Sequence, residues 1–98
     1  MSNLQKSPQQ HELQIREFNL NQSIAVAIER TKTDPFNIQP MVQDIISEFP
    51  RISNDEFTLA IRNGSLGKYG KTYKLSTQEV CFWIREYLKE KNKKTLVI

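Results

Sequence analysis

Apolar side chains recur at helical spacing along most of this 98-residue chain. Ile24, Ala27, Ile28 and Thr31 fall at i, i+3, i+4 and i+7, positions that share one face of an α-helix, and Asn21 stands ahead of them as a cap. The spacing predicts a helix over 21–32, ended by Asp34-Pro35. Met41, Val42, Ile45, Ile46 and Phe49 make a wider stripe over 39–49, between Pro40, suited to a first helical turn, and Pro50, which stops the helix. Ser53 followed by Glu56 is a capping box, in which hydroxyl and carboxylate satisfy each other's free backbone amides. It opens a third helix over 54–63 with Phe57, Ala60 and Ile61 inward and Gly64 as a left-handed C-terminal cap. Ser76 with Glu79 repeats the box and opens a fourth helix over 76–91, whose Val80, Trp83, Ile84, Tyr87 and Leu88 trace a core-facing stripe.

The ends of the chain break this regularity. Residues 1–12 carry only Met1 and Leu4 as apolar side chains, too few to offset the entropy of ordering, and predict a flexible leader. Leu13, Ile15, Phe18 and Leu20 fit neither the helical nor the strand period throughout, which predicts an extended arm over 13–20 lying on the core or on a partner. Thr95-Leu96-Val97-Ile98 is β-prone and predicts docking against the core or pairing with the arm. The expected class is therefore all-α: a small bundle of about four helices in one domain over 21–98, preceded by the leader and arm of 1–20, with an ordered glycine-rich loop before the last helix.

Composition sharpens this picture. Ile, Leu, Val and Phe make up 27 of 98 residues, above the roughly 20% below which a charged chain tends to stay disordered. The length allows one core, which excludes an enzyme with separate cofactor and substrate lobes. The longest apolar run, Ile24–Ile28, is far short of the ~20 residues of a membrane span, so a soluble protein with no membrane partner is expected. Cys81 is the single cysteine and His11 the single histidine. They offer no zinc set, no intrachain disulfide and no trio of nucleophile, base and orienting group, so no metal, cofactor or catalytic residue is expected, and a reducing, cytoplasmic setting is. Residues 1–50 carry four basic and six acidic side chains, whereas residues 51–98 carry ten and five. That asymmetry points the second half at an anionic partner or, in the plainer reading, gives it a solvated lysine-rich surface.

Gly64-Ser-Leu-Gly-Lys-Tyr-Gly-Lys-Thr72 approaches the P-loop pattern but has Ser65 where its first glycine belongs, and it follows a predicted helix instead of a strand. Nucleotide hydrolysis is accordingly not expected. In the same loop Lys68, Lys71 and Lys74 alternate with Tyr69 and Tyr73. The cations suit phosphates and the rings suit bases; alternatively Leu66, Tyr69, Tyr73 and Leu75 fold inward as a plug while the lysines stay in water. On the last helix Cys81 and Trp83 belong to the core side, while Phe82 points outward among Gln78, Arg85 and Lys89. Phe82 is thus a candidate partner-binding residue, or one covered by the arm or by another subunit, and Arg85 and Lys89 join Lys68, Lys71 and Lys74 as candidate nucleic-acid contacts.

The run Ala60-Ile-Arg-Asn-Gly64-Ser-Leu-Gly67-Lys-Tyr69-Gly70-Lys-Thr-Tyr73-Lys-Leu75-Ser76, followed by Trp83-Ile84 and Tyr87, resembles a helix, Gly-x-x-Gly-x-Tyr-Gly loop and Trp-Ile-x-x-Tyr helix of small uncharacterised proteins from bacterial phages and other mobile elements. It covers residues 57–88, about a third of the chain. Such proteins often sit beside replication genes, so the resemblance implies a non-enzymatic accessory of DNA replication that contacts DNA or RNA. The other expectation is a protein-interaction adaptor working through Phe82 and the N-terminal arm.

Overall fold

The structure, a computed structural model, describes residues 8–96 and, within them, the side chains of 10–93. Its elements are α1 (Pro8–Arg30), α2 (Gln39–Glu48), α3 (Asn54–Ser65) and α4 (Thr77–Leu96), with no strand among the described residues. The chain is all-α, as its periodicity predicts. α1 packs on α2 and α3, and α4 packs on the same two, while α1 does not pack on α4 nor α2 on α3. The helices therefore form a ring around a core supplied by Leu20 and Ile24 of α1, Val42 and Ile45 of α2, Phe57 and Ile61 of α3, and Val80, Trp83 and Ile84 of α4. No described helix is long and apolar enough to cross a membrane.

The first helix corrects the expectation of an extended arm. Residues 13–20 are helical and continuous with 21–30, so the expected boundary at 20/21 falls inside α1, and Asn21 is an interior residue instead of a cap. The leader is helical from Pro8; its residues 1–7 lie outside the described part. The missing signal is Arg16, one turn before the buried Leu20, on the stripe that continues through Ile24 and Ala27. Its guanidinium stands 5.4 Å from the centre of the Phe57 ring and donates to the Phe49 carbonyl at 3.4 Å. An arginine that lays its stem on apolar surface fills a core-facing position while counting as polar in the sequence. Ile15 and Phe18 lie on the opposite face and remain exposed, which is why their inclusion spoils the helical period.

At the third helix the Ser53–Glu56 capping box is complete. Glu56 also pairs with Lys91 of α4. That ammonium, followed by the Ser53 amide, holds the Glu56 carboxyl below its ordinary value of 4.5. Gly64 departs from the expected role: it is helical, and the left-handed glycines are Gly67 (φ 89°) and Gly70 (φ 117°). Gly64 is small because of what faces it. A Cβ there would lie 2.0 Å from Trp83 Cδ2 and 2.1 Å from Cγ, so α3 carries no side chain where the fully buried indole of α4 presses against it. Among the described residues the indole Nε1 has no hydrogen-bond partner, and packing holds the ring. At the start of α4 the Ser76 hydroxyl accepts from the Glu79 amide, but the Glu79 carboxylate accepts from Thr72 Oγ1 at 2.6 Å instead of turning back to Ser76. The second box is thus half-formed, and its acid ties down the preceding loop. At the far end α4 runs through Thr95 and Leu96 without the expected β-like tail, and Val97 and Ile98 lie outside the described residues.

Candidate functional site

The connection after α1 and the loop before α4 meet through one buried hydroxyl. Thr33, 8% exposed, accepts a 2.9 Å hydrogen bond from the Leu75 amide. The Thr33 hydroxyl is 2.8 Å from that of Thr31, which donates to the Ala27 carbonyl at 2.8 Å. This chain of bonds carries the loop's position back to the end of α1. That end closes in a Schellman motif, with the Thr33 amide donating to the Ile28 carbonyl and the Lys32 amide to the Glu29 carbonyl. The residue at its left-handed position is Lys32 (φ 56°), the one described non-glycine residue with positive φ. Glycine normally fills that position because an L side chain there costs roughly 1–2 kcal/mol.

Between these two segments lies an open cleft of about 650 Å³. Lys32, Asp34 and Phe36 line it from the α1–α2 connection, Met41 from α2, and Tyr73 and Lys74 from the loop before α4. Phe36 is 41% exposed and Tyr73 82% exposed. Two aromatic rings from distant parts of the chain thus border one opening beside two lysines. Lys71 adds a third cation close by, with its ammonium 5.1 Å from the centre of the Tyr73 ring. No carboxylate among the described residues pairs with Lys32, Lys71 or Lys74.

The other candidate cations are engaged elsewhere. Lys68 lies 3.4 Å from Glu90, whose same oxygen accepts from the Tyr69 phenol at 3.1 Å, and Asn63 donates to that phenol at 3.3 Å. This network anchors the loop to α4, and burial is the main cause that pushes the Tyr69 phenol above its ordinary value. Arg85 lies 3.5 Å from Glu48 and stacks over Phe49 at 5.7 Å, and Lys89 lies 2.9 Å from Glu86 one turn earlier. The five cations singled out in the sequence therefore do not line one cleft: Lys74 borders it and Lys71 stands on its tyrosine, while Lys68, Arg85 and Lys89 each face a carboxylate.

The two readings of the loop's apolar residues divide the residues between them. Leu75 is buried and Tyr69 packs against the core, whereas Leu66 and Tyr73 point to solvent. Phe82 is 42% exposed on α4, and the segment expected as an arm belongs to a helix that does not pack on α4 and leaves it uncovered. The P-loop-like segment starts inside α3, with Gly64 against Trp83 and the Ser65 hydroxyl donating to the Arg62 carbonyl while accepting from Arg30. Comparison with protein-family models, curated proteins and solved structures finds no match.

Lys32, Thr33 and Phe36 are among the lining residues that the sequence did not single out. The available signal was a helix that ends on a lysine just before Asp34-Pro35, where glycine or asparagine would ordinarily stand.

Proposed function

We propose that the protein is a non-enzymatic nucleic-acid-binding module that takes DNA or RNA on the face carrying Lys32, Lys71, Lys74 and Tyr73. The supporting observation is that these cations have no carboxylate partner among the described residues while an 82% exposed tyrosine lies between them. Ammonium groups free of carboxylates are available to phosphates, and an open ring offers a surface for a base. In the setting implied by the loop-and-helix resemblance, such a module is a cytoplasmic replication accessory of a phage or mobile element. Lys68, Arg85 and Lys89 contribute less than their sequence positions imply, because each must first give up an ion pair.

Three phosphate contacts give an expected slope of log affinity against log salt of about −2 on single strands, at about −0.7 each, and about −3 on duplex, at about −0.9 each. Fluorescence anisotropy with labelled oligonucleotides, from low to physiological salt, measures it. A Lys71→Glu/Lys74→Glu double variant should flatten the slope, whereas Lys89→Gln should leave it unchanged. Absence of binding at the lowest salt would defeat the proposal.

A second reading, a protein-interaction adaptor, is favoured by exposed apolar residues elsewhere: Leu13, Ile15 and Phe18 on the first half of α1, and Phe82 on α4. These belong to two helices that do not pack on each other, so the adaptor would use two surfaces.

A further inference from the structure

We infer that the cleft between the α1–α2 connection and the loop before α4 is a pocket for one unpaired nucleotide, its base held between Phe36 and Tyr73 and its phosphate by Lys32 and Lys74. The inference rests on the proposed nucleic-acid reading and narrows it to unpaired strands.

Size, composition and assembly carry it. About 650 Å³ lies within the roughly 300–1,000 Å³ range of small-ligand sites, and a base that is paired and stacked inside a duplex cannot enter such a recess unless it is extruded. Aromatic side chains that border the opening from two segments provide stacking surfaces for any base, and their exposure leaves them free to do so. The lysines supply the charge for one phosphate. Asp34, the one carboxylate of the lining, offsets part of that charge and can accept from a ring or exocyclic N–H of the base. The buried Thr33–Leu75 hydrogen bond ties the two walls together next to the rings. Lys32 stands at a position where glycine is cheaper for the fold, and it lines the cleft.

Trp83 is fully buried, so a Tyr73→Trp variant of the full chain places a second, exposed indole at the pocket mouth as a fluorescence reporter. A twelve-nucleotide single strand should quench it, and a blunt duplex of the same length should not. Adding Phe36→Ala should weaken the quenching affinity by about 5- to 150-fold, the range for loss of one stacked base. Lys32→Gly should lower affinity while raising the melting temperature, a split that a merely structural lysine would not produce. A free mononucleotide that quenches as tightly as the strand would support the pocket and assign it to free nucleotides. If anisotropy detects the strand but the reporter is silent and Phe36→Ala and Lys32→Gly bind like their parents, the pocket is refuted while the nucleic-acid reading stands. If anisotropy detects nothing at low salt, both fall.

Discussion

Trp83 and Tyr73 stand ten residues apart in the sequence and are used in opposite ways. Trp83 is sealed: it is fully buried, and α3 presents the bare backbone of Gly64 to let it in. Tyr73 is 82% exposed and borders an open cleft together with Phe36, Lys32 and Lys74. The first region has the close packing of an interior, where added or removed atoms are felt at once. In the second, two aromatic rings remain exposed to water. The seam between α3 and α4 contributes to stability, and the cleft is the proposed binding site; substitutions should separate the two.

The largest effects belong to the seam. Trp83→Ala should destabilise by about 3–5 kcal/mol, as truncations of large buried aromatics do. Gly64→Ala, a single added methyl, should cost about 3 kcal/mol, at the upper end for overpacking, because the atoms it meets belong to a rigid ring. Combining it with Trp83→Leu should recover part of that loss. Denaturant titration measures all three, and a Gly64→Ala variant as stable as its parent would show that the helices do not meet as described.

Thr33→Val comes next, because it joins the two regions. It leaves the buried Leu75 amide without an acceptor, which should cost about 1–3 kcal/mol, and it should loosen the cleft wall. Thr33→Ser should restore stability. Lys32→Gly goes the other way and is smaller, a gain of up to about 1 kcal/mol in thermal or chemical denaturation from relief of the left-handed lysine.

The smallest effect is a pH dependence at the Ser53–Glu56 box. Glu56 titrates below its ordinary value in the folded chain, so its contribution is complete above pH 4.5 and is lost as pH falls through the lowered folded value. Melting temperatures followed downward from pH 6 should drop less in Glu56→Gln than in the parent within that acid window. Equal drops would remove the Glu56–Lys91 pair from the account.

Periodicity carries the fold wherever type and position agree, as in the stripe from Val80 to Leu88 and the residues around Pro40. It fails at Arg16, which is polar in type and packs by its stem, and at Gly64, whose smallness answers a ring nineteen residues away instead of a turn. The site was only half legible for a similar reason. Lys71, Lys74 and Tyr73 stand close together in the chain, but Phe36 and Lys32 meet them only in the fold, where a hydrogen bond spanning 42 residues links the two segments. Nor does a count of cations reveal which of them face a carboxylate: Glu90, Glu48 and Glu86 take up Lys68, Arg85 and Lys89.

On the proposed function the open cleft, and not the paired cations of α4, receives a nucleic-acid strand. Backbone amide shifts of isotope-labelled protein, followed by NMR during titration with a twelve-nucleotide single strand at low salt, test it most directly. The account predicts that the largest changes fall on residues 32–36 and 71–77, with little change around Phe82, Arg85 and Lys89. Changes centred on those three α4 residues, with residues 32–36 silent, would contradict it.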